Sequence, residues 1–146
     1  MRFAPVVLAG ALVLAGALAG CGKGDKPAAE TPDAPSGAPE ATVEPTAAMG
    51  EQIFKRCVAC HTIDKGGNNA IGPNLHGVVG RAVASHAGFS YSSAMKAKGG
   101  IWDDAALDLY LKQPMMAVPG TRMAFAGIPD DADRKALILY LDAQSK

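Results

Sequence analysis

"CVACH", residues 57–61, brings two thiols and an imidazole into five consecutive positions. Three chemistries use such side chains: a structural zinc site, a redox dithiol and a covalently attached haem. The flanking residues decide among them. Upstream, GEQIFKRCVAC (50–60) sets Ile53, Phe54, Cys57, Val58 and Cys60 at helical spacing, so the motif is expected to close a helix. Downstream, Gly66-Gly67-Asn68-Asn69 ends any regular structure.

A structural zinc site takes four protein ligands, commonly as two spaced pairs. No second thiol pair follows, and His61, His76 and His86 do not have the spacing of a zinc knuckle. A redox Cys-x-x-Cys opens a helix after a strand, where the helix dipole lowers a thiol pKa. This one closes a helix, and no strand precedes it. Haem attachment accounts for every residue. A spacing of three puts Cys57 and Cys60 on one side of a helix, where each thiol can bond one porphyrin vinyl group. His61 follows one turn after Cys57, within reach of the iron. Cys-x-x-Cys-His is a direct signal for c-type haem. A low-spin carrier also needs a sixth ligand, for which Met49, Met95, Met115, Met116, Met123, His76 and His86 are candidates. PGTRMAFAGI (119–128) singles out Met123: Pro119-Gly120 makes a turn, Thr121 offers a hydroxyl, and the methionine sits in a loop.

The rest of the 146-residue chain divides by composition. Arg2 is the only early charge, and Val6 to Ala19 is almost wholly Val, Leu, Ala and Gly. This reads as a signal peptide. The apolar run also approaches the roughly 20 residues that span a bilayer, so an uncleaved anchor is the alternative. Leu18-Ala19-Gly20-Cys21 resembles a bacterial lipobox. That resemblance implies cleavage after residue 20 and acylation of Cys21, and multiple acyl chains anchor stably. Either reading tethers the chain outside the cytoplasm. Residues 21–48 are rich in Pro and Ala and hold no aromatic residue. Such a stretch cannot bury enough apolar surface to offset its ordering entropy and reads as a flexible linker. Its reach runs from about 30 Å as a coil to roughly 80 Å as polyproline II.

Residues 49–146 suffice for one small domain. They carry 11 Lys/Arg against 9 Asp/Glu, a net charge of +2, which gives no reason to expect a nucleic-acid partner. Asp103-Asp104 and Pro129-Asp130-Asp131 mark two helix starts, where acids suit the macrodipole. The first of these helices has an inner face of Ala106, Leu107, Tyr110 and Leu111 and stops at Gln113-Pro114. The second carries the stripe Leu137, Ile138, Tyr140, Leu141 to the chain end. A brief helix is expected at 93–98, and Met115 to Pro129 reads as loop. No run alternates as a strand. The expectation is an all-α domain, three main helices plus a short one, with long ordered loops. A small loop-rich domain needs something besides its own side chains at its centre.

CHTIDKGGNNAIGPNLHGVVGR (60–81), GFSYSSAMKAKGGIW (88–102), PGTRMAFAGI and the LILYL helix resemble the class I cytochromes c, close to the mitochondrial and bacterial c2-like branch. The resemblance runs from Gly50 to about Leu141. It implies the cytochrome c fold around one haem c, with Cys57 and Cys60 as thioether positions and His61 and Met123 as axial ligands. It implies that the Pro73 carbonyl orients His61, and that Arg81, Tyr91 and Trp102 bond the haem propionates. Tyr110 and Thr121 match hydroxyls on the methionine side; Gly50, Phe54, Leu137 and Tyr140 match a crossing of the first and last helices. His76 and His86 are expected to be structural or surface residues. The sequence departs from the mitochondrial pattern where Met95 replaces an asparagine, and where Met115-Met116 replaces a lysine pair used in docking. The methionine pair is expected to serve packing; exposed, it would exchange charge for soft apolar contact.

The function so implied is electron transfer, not catalysis, because two protein ligands leave no open iron position. The expected protein is a monomeric, lipid-anchored periplasmic carrier. Its partners would be membrane redox complexes: a quinol-oxidising complex as donor, a terminal oxidase or photosynthetic reaction centre as acceptor. Two alternatives stand beside this: a fixed subunit of a larger redox enzyme, and an open-iron peroxidase or gas sensor.

Overall fold

The computed structural model describes residues 43–146. The leader, Cys21 and the linker as far as residue 42 lie outside the described residues. Five helices follow in order: α1 (Ala47–Phe54), α2 (Ser93–Lys98), α3 (Asp104–Lys112), α4 (Pro114–Ala117) and α5 (Asp131–Ala143). Among the described residues extended pairing is limited to one isolated antiparallel bridge, Ala82 with Ile101. The all-α class expected from the sequence holds. Among the described residues no helix is long and apolar enough to cross a membrane.

Four helices begin where a short polar side chain can accept from an otherwise orphaned backbone N–H. Thr46 accepts from Met49, Ser92 from Met95, Asp103 from Ala106 and Asp130 from Asp133. The two acidic helix starts read from the sequence are therefore real caps. Pro114 stops α3, as expected, but it also opens α4, since the missing N–H costs nothing at a first helical position. This adds a second short helix inside a stretch expected to be loop.

A second correction concerns the opening motif. Helix α1 ends at Phe54, so CVACH does not lie within it. The N–H groups of Lys55, Arg56 and Cys57 reach back three residues rather than four, to Gln52, Ile53 and Phe54. This tighter winding continues the helix as a run of turns. The N–H groups of both Cys60 and His61 then converge on the Cys57 carbonyl, at 3.0 and 2.9 Å. One helical turn thus survives around the motif, and the sequence period alone could not separate it from a regular helix.

The core forms where α1 crosses α5. Phe54, Leu137, Ile138 and Leu141 are buried there, and the Phe54 and Tyr140 rings lie 5.3 Å apart. Gly50 makes the crossing possible: a Cβ on it would stand 2.6 Å from the Ala136 carbonyl carbon and 2.7 Å from the Tyr140 Cβ. Helix α3 closes against α5 through an ionic cluster absent from the sequence reading. Arg134, 2% exposed, donates to the Asp108 carboxylate at 2.7 Å and to Asp131 at 2.6 Å. It also donates to the carbonyls of Ile128 and Pro129, at 2.9 and 2.8 Å. Removing the guanidinium would leave the buried Ile128 carbonyl without this donor, whereas the more exposed Asp108 and Asp131 carboxylates would be rehydrated.

The long loops are ordered by side-chain bonds to backbone. Asn74, 2% exposed, is the hub of the first. Its amide donates to Thr62 Oγ1 at 2.7 Å and to the Asp64 carbonyl at 3.0 Å, and its Oδ1 accepts from the His76 N–H at 2.9 Å.

Candidate functional site

Between the helices and these loops lies a cavity of about 620 Å³. That volume falls within the roughly 300–1,000 Å³ typical of cofactor and ligand sites. All ten site residues named from the sequence in this domain line it: Cys57, Cys60, His61, Pro73, Arg81, Tyr91, Trp102, Tyr110, Thr121 and Met123. The tertiary fold therefore collects into one space residues that are up to 66 positions apart in the chain, from 57 to 123. Of the seven sixth-ligand candidates, only Met95 and Met123 reach the lining.

Each side chain is held by an identifiable device. His61 sits one turn after Cys57, and its Nδ1 lies 2.8 Å from the Pro73 carbonyl. Because that oxygen can only accept, Nδ1 carries the proton and Nε2 is left as a free lone pair. Burial lowers the His61 pKa, opposed by the bond to Pro73. The neutral ring that results is the form that binds a metal. Gly72 cradles the imidazole: a Cβ there would stand 2.7 Å from Nδ1 and 2.8 Å from Nε2. The sequence reading missed Gly72, although it lies within the quoted GPNL segment beside Pro73. Cys57 and Cys60 are half-buried free thiols bordering the same cavity. Burial raises the Cys57 pKa, against a smaller lowering by Arg56. Among the described residues no three His, Cys, Asp or Glu side chains gather into a metal cluster.

On the methionine side, the Tyr110 hydroxyl lies 2.9 Å from Thr121 Oγ1. Thr121 Oγ1 also accepts from the Met123 N–H at 3.3 Å. This pair ties α3 to the loop that carries Met123. Burial raises the Tyr110 pKa, so the hydroxyl stays protonated. The same loop is tied to the segment before α2, where Arg122 donates to the Ser90 carbonyl. Met95, 7% exposed, enters the cavity from α2.

The polar wall is built from Arg81, Tyr91 and Trp102. Arg81 is gripped from behind: Nη1 donates to the His76 carbonyl at 3.1 Å and Nη2 to the Asn74 carbonyl at 3.2 Å. The Trp102 backbone N–H donates to the Arg81 carbonyl at 2.9 Å, and the indole packs on the Tyr110 ring at 5.0 Å. Phe54, Leu107, Leu111, Leu137 and Leu141 supply apolar walls. A flat, largely apolar group with acidic edges fits this lining: sulfur and imidazole donors at its centre, one cation and two aromatic polar groups at its rim.

Met115 and Met116 contradict the packing expectation. They are 53% and 74% exposed, because α4 turns Pro114 and Val118 inward and the methionine pair outward. Leu109 is exposed in the same region, lining a shallow cleft with Met116 and Lys112.

Residues 47–145 match the family model described as "Cytochrome c". The chain belongs to the cytochrome c family. It is 48% identical over 104 residues to a cytochrome c of Stellaria longipes, covering 70% of this chain and 96% of that protein. It is 52% identical over 103 residues to "Cytochrome c-type cyt cy" of Rhodobacter capsulatus. That match takes in 70% of this chain but only about half, 51%, of the relative. Among solved structures, cytochrome cH from Methylobacterium extorquens is similar, with a TM-score of 0.63 and 41% identity. The match covers 67% of this chain and 98% of that one. This cytochrome c is accordingly a monohaem electron carrier of c2-like type, not an enzyme, with one covalently bound haem c.

Proposed function

We propose that this cytochrome is a membrane-tethered periplasmic shuttle whose haem is held by Cys57, Cys60, His61 and Met123. The observation that carries the reading is the His61 geometry. Its Nδ1 is committed to the Pro73 carbonyl, and the same cavity holds two thiols and the Met123 thioether. The haem supplies a one-electron couple. The protein's own residues do the rest. Cys57 and Cys60 would fix the group in place through thioether bonds. Pro73 sets the imidazole orientation and raises its basicity. The Thr121–Tyr110 pair holds the Met123 loop, and soft thioether sulfur favours the reduced state. Arg81, Tyr91 and Trp102, which line the cavity together, would meet the haem carboxylates. Apolar walls exclude water and so strengthen every one of these interactions.

The tether reading rests on the sequence alone: the apolar leader, the Leu18-Ala19-Gly20-Cys21 lipobox pattern and the Pro/Ala-rich linker. Acylated Cys21 would let the domain move between membrane redox complexes within linker reach. A quinol-oxidising complex would be the donor, and an oxidase or photosynthetic reaction centre the acceptor. Arg56 and Arg122, exposed at the cavity rim, would steer an acidic partner.

The test is spectroscopic. Oxidised wild type should show the methionine–iron charge-transfer band, and Met123→Ala should lose it and have a lower reduction potential. A band that survives Met123→Ala would move the ligand to Met95, the other methionine in the cavity. Ready carbon monoxide uptake by the reduced wild type would replace the shuttle with an open-iron sensor or peroxidase. Globomycin-sensitive processing and palmitate labelling lost in Cys21→Ser test the anchor.

A further inference from the structure

At the cavity rim Arg56 bridges two segments far apart in the chain: the turns that carry Cys57 and Cys60, and the loop that carries Met123. Its guanidinium carbon stands 5.5 Å from the centre of the Phe125 ring. Its Nη2 donates to the Gly127 carbonyl at 3.4 Å, a long bond. Among the described residues this is the one hydrogen bond joining residues 55–61 to residues 122–128. Arg56 pairs with no carboxylate among the described residues, so the ring face and the carbonyl are the partners it has. A guanidinium over an aromatic face is drawn to the negative face of the ring. The methionine loop is tied to its surroundings at both ends. At its start Thr121 Oγ1 accepts from the Met123 N–H. At its end the Ile128 N–H donates to the Leu111 carbonyl at 2.9 Å. Gly127, at φ 98°, lies so close to α3 that a Cβ would stand 2.8 Å from the Lys112 carbonyl carbon. Between these ends the Phe125 N–H donates to the Met123 carbonyl at 3.0 Å, a bond that only curls the loop on itself. What crosses from the middle of the loop to the cysteine side is the contact between Arg56 and Phe125.

We propose that Arg56 is a positioning residue for Met123: by clasping Phe125 and Gly127 it keeps the methionine loop closed over the cavity and slows the release of the iron by Met123. The proposal rests on the reading that Met123 is an axial ligand. One residue, Ala124, separates Met123 from Phe125, and the 3.0 Å bond between their backbones makes the two move together. A Phe125 ring held against the cysteine side therefore holds the thioether in the cavity. This role is separate from steering a partner. Steering acts on an approaching molecule and is screened by salt. The clasp acts within the chain, with no partner present. Lys55 offers a control: it is the neighbouring exposed cation, but its Nζ bonds Gln52 on its own side of the cavity.

The experiment uses the haem-loaded full chain, checked first for the methionine–iron band. A missing band in wild type sinks the axial-ligand reading itself; the outcomes below concern Arg56 only. Oxidised protein is mixed with excess imidazole, and the loss of the band is followed by stopped flow. At saturating imidazole the rate is that of loop opening. Arg56→Ala should open about fivefold faster than wild type, the factor expected for an exposed cation–π contact. Arg56→Lys keeps a cation above the ring and should recover most of the wild-type rate. Phe125→Leu keeps apolar bulk without the π face and should match Arg56→Ala. The double variant should be no faster than either single one, because the same contact is lost only once. Lys55→Ala should open at the wild-type rate. Hydrogen exchange at the Phe125 amide should speed up in Arg56→Ala by the same factor as opening. A wild-type rate in Arg56→Ala or Phe125→Leu, an Arg56→Lys variant as fast as Arg56→Ala, an equal acceleration in Lys55→Ala, or multiplied effects in the double variant would overturn the proposal.

Discussion

Replacing Gly72 by alanine tests the cradle beneath His61 directly. Gly72 has no positive φ, so alanine meets no backbone strain there. On chain entropy alone the substitution would stabilise the protein by about 0.4–1 kcal/mol. The structure predicts the opposite. The new Cβ would lie 2.7 and 2.8 Å from the two imidazole nitrogens, against 3.4 Å for the start of ordinary contact. The ring must retreat by about 0.7 Å or more, and its 2.8 Å bond to the Pro73 carbonyl stretches with it. Overpacking costs about 1–3 kcal/mol, and a weakened hydrogen bond adds about 1 kcal/mol. Offset by the entropic gain, the net destabilisation is about 2 kcal/mol, or a drop in Tm of roughly 8–16 °C for a domain this size. Thermal unfolding of the haem-loaded protein, followed by circular dichroism, reads the stability. The absorption spectrum and carbon monoxide uptake of the reduced form read the ligand. A Gly72→Ala variant with an unchanged or raised Tm and an unaltered spectrum would refute the cradle.

Gly50→Ala should destabilise by about 1–3 kcal/mol despite better helix propensity, because α1 must lift off α5; denaturant melts with an unchanged midpoint would contradict this. The Asp131 carboxyl is held below its ordinary pKa of 3.8, first by its hydrogen bond from Arg134 and then by the charges of Arg134 and Lys112. A depressed pKa contributes stability above the unfolded value and loses it as pH falls through the folded one. Asp131→Asn should therefore be less stable than wild type near pH 7, with the difference shrinking below about pH 4, as read by urea melts across pH. Exposed Met115 and Met116 leave the outward face of α4 itself without charge. Met115→Lys/Met116→Lys should steepen the salt dependence of electron transfer to an acidic partner and speed it about tenfold at low ionic strength, measured by stopped flow.

CVACH, the acidic caps and the LILYL stripe were legible in sequence because each rests on local spacing. A thiol pair three apart, a cap oxygen three residues before its N–H, and an apolar face at helical period all depend on near neighbours. Met123 was singled out by its Pro-Gly turn and the neighbouring Thr121; Pro73 and Tyr110 were reached through family resemblance; and the structure brings all four to one cavity with His61. Tertiary structure alone decided what depends on distant segments meeting. The period of GEQIFKRCVAC could not reveal that its last turns wind more tightly than an α-helix. Nothing local marks Arg134 as buried, Gly72 as the floor under an imidazole, or Met115 and Met116 as outward-facing. Those facts depend on which surface another part of the chain covers. Spacing along the chain determined the chemistry available to this protein; packing across it determined which groups that chemistry can reach.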